Sequence, residues 1–293
     1  MSDYSAKDLT REELAHMQEV LADAKITDIY GLTSLQEGML LSAQVEEESQ
    51  SYVIQMAYDV EDKIEEECLR NAFTLMIEKN PVLTTAIFHH NMARPLQAIT
   101  RGRNAEYEVV DYTQCTMSKA KELADELCKA DMERGFDLEQ DSLIRMKVIQ
   151  FADESSQLLV SFHHIILDGW CMSMVINDLF AYYEQLYAGA DYDSLRKSAR
   201  KEAEAKTPYQ AYVAYLEEQD GTEAREYWDS QLEGYSNPAV ILPEGKPETV
   251  NEQMRRYGIT IREEITKALK KIMTEQELTC STICETAWGI LLQ

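Results

Sequence analysis

A run of strand character, Leu158-Leu-Val-Ser-Phe162, stops at His163-His164. Ile165-Ile-Leu167 and Asp168-Gly169 follow, and a long amphipathic segment from Trp170 to Tyr187 then begins. The order is strand, short connection, helix, with two imidazoles at the strand exit and a carboxylate at the helix start. Such junctions hold side chains rigidly beside a cleft, which is where chemistry is often placed. His163, His164, Asp168 and Gly169 are therefore the candidate site. Taken singly, each has a structural reading: Asp168 suits a helix N-cap, and either histidine suits a core position. Together, paired histidines with Asp-Gly at a fixed offset arise by chance in such a chain on the order of once in a thousand. The chain carries its own control. Phe88-His89-His90-Asn91-Met92-Ala93-Arg94 has paired histidines without the Asp, and reads as a hairpin or strand end.

A length of 293 residues suits one large domain or two of about 150. No apolar run approaches the roughly 18–20 residues of a membrane span, and the N-terminus lacks the layout of a secretory signal. Six cysteines without framework spacing read as reduced thiols, so a cytoplasmic location is expected. Cys280 and Cys284, a helical turn apart in an apolar segment, read as core positions, and no zinc-type spacing appears; no metal is expected. The net charge of −25 would repel a polyanion, so neither nucleic acid nor an anionic membrane is an expected partner.

Along the chain, residues 1–25 read as a linker ending in a short helix, with a capping box at Thr10 and Glu13. Ile29 to Leu41 reads as a turn leading into a helix. A strand at 52–60 and a helix at 64–78 follow; Asn80-Pro81 ends that helix, and 82–88 is a strand. Short strands at 96–99 and 107–110 precede a charged helix at 118–134 that Gly135 caps. Residues 144–151 and 158–163 form a hairpin. Beyond the 170–187 helix, 188–206 reads as a polar surface connection. Helices near 208–218 and 223–233, a Pro/Gly-rich linker from Ser236 to Glu248, a strand at 254–261, and helices at 263–274 and from 280 complete the pattern. Ile283 to Leu292 is apolar with no stop signal, so the chain is expected to be part of something longer.

At the histidine motif the chain resembles the condensation domains of nonribosomal peptide synthetases, within the chloramphenicol-acetyltransferase-like superfamily. Leu32-Thr-Ser-Leu-Gln-Glu-Gly-Met39 is similar to the family's first signature, Lys79-Asn-Pro-Val-Leu-Thr-Thr-Ala-Ile-Phe88 to its second, and His163 to Trp170 to its third. Thr207 to Tyr215 with Tyr227-Trp228 resembles the fourth region, and Ser281 to Leu292 the helix that opens the second lobe. The resemblance implies an α+β fold: a mixed sheet flanked by helices over 26–235, then a linker and the start of a similar lobe over 236–293. It implies a tunnel between lobes, where an amine on one carrier protein attacks a thioester on another. Substrates then arrive on phosphopantetheine, and no cofactor is bound directly. The implied partners are upstream and downstream peptidyl carriers and neighbouring synthetase domains. His164 takes the family's catalytic position, as general base or as positioner of the amine; Asp168 braces the loop; Gly169 allows close backbone packing.

One departure stands out. The second signature usually carries an Arg that pairs with the motif Asp, and Thr84 occupies that place, with Lys79-Asn80 for the usual Arg-His. A buried Asp168 then needs other donors. Thr84, the helix N-terminus, and Arg145, expected opposite His163 or Phe162, are the candidates. Asp-Gly-Trp-Cys-Met resembles condensing members more than epimerases, and L-Q-E-G-M the subtype that accepts a D-configured donor. Two alternatives stay open: a non-catalytic carrier-docking module, and an acyltransferase of the same fold acting on free substrates.

Overall fold

Residues 158–160 and 162 are apolar on both faces of a strand, which demands cover on both sides of the sheet. The computed structural model, which describes residues 4–22, 24–45, 51–236 and 258–292, meets that demand. The described elements are α1 (Arg11–Val20), β1 (Lys25–Gly31), α2 (Ser34–Val45), β2 (Val53–Val60), α3 (Glu66–Lys79) and a 3₁₀ turn at Pro81–Thr84. Then come β3 (Thr85–Phe88), β4 (Leu96–Arg101), β5 (Glu106–Asp111), α4 (Met117–Arg134), β6 (Ile144–Gln150) and β7 (Ser156–His163). The helices α5 (Gly169–Tyr187), α6 (Tyr192–Ala205), α7 (Tyr209–Glu217), α8 (Thr222–Gln231), α9 (Glu263–Glu275) and α10 (Cys280–Leu291) follow.

The strands form two sheets, β1-β4-β3 and β2-β7-β6-β5. In the second, β7 is internal and antiparallel to both neighbours, while β5 and β6 run parallel with α4 as the crossover between them. Alternation divides its side chains. Leu158, Val160 and Phe162 join Ile144, Met146 and Val148 in the main core with α3 and α5. Ile149 and Phe151 instead pack on Ala120 and Ala124 of α4. The sheet thus lies between α3/α5 on one face and α4 on the other. From α5, Met172, Val175, Leu179, Tyr182 and Leu186 are buried at helical spacing; each such side chain contributes about 1.5–3 kcal/mol when removed from water.

The chain separates into two compact units, 1–219 and 220–293, a break that falls before α8, whereas the sequence placed one at 235/236. The capping box on α1 is present, yet this N-terminal stretch is no free linker. Ala6, Leu9, Met17 and Leu21 are buried in a core with Ile29, Phe88 and Ala98. Two elements depart from the sequence reading in kind. Residues 25–31, read in part as a turn, form β1 on the edge of the first sheet. The polar stretch 188–206 contains a full helix, α6, tied to α3 where Arg196 and Arg200 converge on Glu78 at 2.6 and 2.9 Å. The linker from 237 onward and most of the strand expected at 254–261 lie outside the described residues, and 258–261 has no regular structure. Cys280 and Cys284 are exposed and free, not core residues. Among the described residues, no helix is long and apolar enough to cross a membrane.

Candidate functional site

His163 is the last residue of β7, paired with Val53 of β2. Its ring is 3% exposed, and Nδ1 accepts the Ile165 N–H at 3.1 Å. Burial, helped by the neighbouring His164, pushes its pKa down to about 4. A ring held neutral and committed as an acceptor is a brace for the turn. His164 sits differently. Its backbone N–H is pinned to the Tyr52 carbonyl at 2.8 Å, while its half-buried ring keeps a shielded Nδ1 without a hydrogen-bond partner among the described residues. Tyr52 takes a positive φ of 68° to supply that carbonyl, a conformation that costs of order 1–3 kcal/mol in a non-glycine residue and clusters at functional sites.

Three buried side chains, Ile165, Ile166 and Leu167, anchor the connection, and Asp168 then starts α5. Its Oδ1 accepts the Cys171 N–H at 2.8 Å, an N-cap. That bond holds the carboxyl below the usual carboxylate range. Asp168 is exposed, so the desolvation problem that the missing Arg posed does not arise here. The other donors proposed for it are engaged elsewhere. Thr84 Oγ1 lies 2.7 Å from the Thr100 carbonyl and 2.8 Å from that of Pro81. Arg145 faces Ser161, one residue from the expected register, and its guanidinium meets Asp131 of α4 at 2.9 Å. Gly169 needs no special explanation from sterics: a Cβ there would meet nothing within 4 Å, which removes the close-packing reason expected for it.

The first signature touches the histidine turn directly. Thr33 and Gln36 cap α2 reciprocally, at 3.0 and 3.3 Å, in the pattern of a capping box. Gln36 Nε2 also donates to the Ile165 carbonyl at 3.0 Å, and Gln97 completes its bonding. The sequence reading placed only a turn and a helix here; the reach of Gln36 to residue 165 depends on tertiary packing, which no local spacing reports. Tyr209, from the fourth region, lies near Thr33 and Asp168, and burial pushes its phenol up. From the second signature, Lys79 and Asn80 both bind Asp178 of α5, at 2.7 and 3.1 Å. The first and second signatures therefore bind the turn that carries His164 and the helix that follows it. A cavity of about 420 Å³ lies beside α3 and α6, lined by Arg70, Arg101, Arg196, Arg200 and Tyr107 and by Pro81 and Thr84 of the second signature; His163, His164, Asp168 and Gly169 do not line it.

A family model described as a condensation domain matches residues 26–293. The chain belongs to the condensation-domain family. Tyrocidine synthase 2 of Brevibacillus parabrevis is 29% identical over 274 residues, covering 94% of this domain and 7% of that protein. Bacitracin synthase 1 of Bacillus licheniformis is 29% identical over 292 residues, 99% of this domain and 5% of that protein. The domain thus spans 7% or less of these two relatives' length. Among solved structures, a mutant starter condensation domain of rhizomide synthetase in complex with C8-CoA and Leu-SNAC matches with a TM-score of 0.57. It is 18% identical, covering 78% of this domain and 50% of that chain, a likeness of fold.

Proposed function

We propose that this condensation domain forms an amide bond between two carrier-bound substrates. The amine of an aminoacyl thioester on a downstream carrier attacks the carbonyl of an acyl or peptidyl thioester on an upstream carrier. The C–N bond forms, the C–S bond breaks, and the amine's surplus proton leaves as the pantetheine sulfur is released as thiol. The observation that carries this reading is the pair of unlike histidines: His163 is spent on the turn, while His164 is held by its backbone with ring capacity unspent. An imidazole so fixed can take the amine's proton or hold the amine by a hydrogen bond, and orientation alone is worth several kcal/mol. Asp168 and Gly169 start the helix beside it and are assigned to holding the turn. The rhizomide relative's two ligands are an acyl-CoA and an aminoacyl thioester mimic by name, which supports the same pair of substrate classes here. The partners under this reading are peptidyl carriers bearing phosphopantetheine, and neighbouring synthetase domains, in the cytoplasm, with no cofactor held by the domain itself.

The test is His164→Ala in the intact parent protein, assayed with two loaded carriers. Condensation is expected to be abolished while the circular dichroism spectrum stays unchanged. Turnover retained within about tenfold, roughly 1.4 kcal/mol of barrier, would exclude a catalytic role.

A further inference from the structure

Three of the chain's five histidines lie outside the motif and meet at one buried carboxylate. His16 comes from α1, His89 and His90 from the turn after β3, and Glu139 from the connection between α4 and β6. Glu139 is 7% exposed. Its Oε1 lies 3.1 Å from His90 Nδ1 and 3.5 Å from His89 Nδ1, and its Oε2 lies 3.8 Å from His16 Nε2. The donor atoms of His89, His90 and Glu139 all fall within 4.8 Å of one another. We propose that His89, His90 and Glu139, with His16 beside them, form a binding site for a divalent transition-metal ion of the zinc type.

The geometry agrees with that assignment. A tetrahedral ion with ligand bonds of about 2.0–2.2 Å sets neighbouring donors roughly 3.3–3.6 Å apart, and the 3.1 and 3.5 Å separations of His90 and His89 Nδ1 from Glu139 Oε1 lie close to this spacing. Two of the nitrogens, His16 Nε2 and His89 Nδ1, are shielded from solvent without a hydrogen-bond partner among the described residues. A fully hydrogen-bonded turn would not leave them so. Imidazole and carboxylate donors suit zinc, cobalt or nickel; the all-oxygen sites of calcium and magnesium are different.

A supporting shell is also in place. Glu139 Oε1 receives the backbone N–H groups of His89 and His90, each at 2.9 Å. Asp137 accepts the Glu139 N–H at 2.9 Å, and Arg103 donates to the Glu139 carbonyl at 3.3 Å. Such partners fix a ligand's orientation. His90 is largely exposed, which gives the ion a way in. The bound ion would clip the β3 exit to the α4–β6 connection. That connection also serves the catalytic turn, because the Leu143 carbonyl accepts the His163 N–H at 3.0 Å.

The experiment treats the 293-residue chain with chelator, then titrates Zn²⁺ by calorimetry and Co²⁺ by visible absorption. Expected are saturable 1:1 binding, a tetrahedral cobalt spectrum, and a melting temperature raised by Zn²⁺. His89→Ala and His90→Ala should each weaken binding at least tenfold, and the Zn²⁺-dependent rise in melting should vanish in both. Because the His90 ring is exposed, His90→Ala tests the site without threatening the fold. The double variant Cys280→Ser/Cys284→Ser should bind as the parent does. Absence of saturable binding, unchanged affinity in His90→Ala, or loss of binding in the cysteine variant would each overturn the proposal.

Discussion

His163 and His164 are neighbours in sequence with opposite fates, and the difference is measurable through pH. In the unfolded chain the His163 imidazole titrates near 6.5; in the folded protein burial holds it to about 4. Below about 6.5 the unfolded chain binds a proton that the folded protein refuses. The stability associated with this group is therefore complete above the unfolded value and falls away as pH drops toward 4. The difference amounts to on the order of 3 kcal/mol. His163→Asn keeps an oxygen where Nδ1 accepts the Ile165 N–H but removes the titration. Urea unfolding between pH 7 and 4 should then show a shallower loss of stability in His163→Asn than in the parent. His89 shifts in the same direction, first through burial, so the slope should shrink without vanishing. An identical slope in both proteins would show that His163 is not held neutral by burial.

At the scale of elements, the helix start and the sheet face call for different magnitudes. Asp168 is an exposed cap, so Asp168→Ala should cost about 1 kcal/mol, more than His164→Ala, whose ring Nδ1 has no hydrogen bond among the described residues to lose. Asp131 is another matter. Its carboxylate is buried beneath Arg145, with Ser161 Oγ at 2.6 Å and Gln55 Nε2 at 3.1 Å. Burial raises its pKa, and the bonds from Arg145 and Ser161 outweigh that and hold it below the usual range. Asp131→Ala strands the Arg145 guanidinium and should cost about 3–5 kcal/mol; equal losses in the two Asp variants by chemical denaturation would contradict this ranking. The sequence shows why one residue was legible and the other was not. A polar residue before an amphipathic run marks a cap locally, so Asp168 could be placed from its neighbours. Arg145 depended on hairpin register, and a slip of one residue moves a side chain to the other face. The turn closes with Phe151 N–H on the Ser155 carbonyl and Glu154 at φ 67°, which aligns Arg145 with Ser161 and aims it at α4. Likewise α6 looked like a connection because it buries only Ala199; besides that contact and the partly buried Tyr192 and Leu195, it is tied to α3 by ion pairs to Glu78, which apolar periodicity cannot report. The histidine cluster at Glu139 is assembled from three distant segments, so no spacing reveals it.

For the whole molecule, the two compact units differ in what protects their backbones. In 1–219, β6, β7, α3 and α5 share a continuous buried core. In 220–293, α8, α9 and α10 contain no buried residue, and Trp228, Ile261, Trp288, Ile290 and Leu291 are exposed. Isolated helices of 10–13 residues are marginal in water without tertiary packing, so their amides should open locally at little cost. Hydrogen exchange on the 293-residue chain should therefore be slow through 144–163 and 66–79, where opening requires global unfolding, and fast through 222–231, 263–275 and 280–291. The apolar faces make a second, linked expectation. Large apolar side chains left exposed in this number favour association, so light scattering should report a mass that rises with concentration, and protection over 280–291 should rise with it. Strong protection of α9 and α10 in a protein that stays monomeric at all concentrations would mean that these faces are covered within one chain, and the separate behaviour of the two units would be refuted.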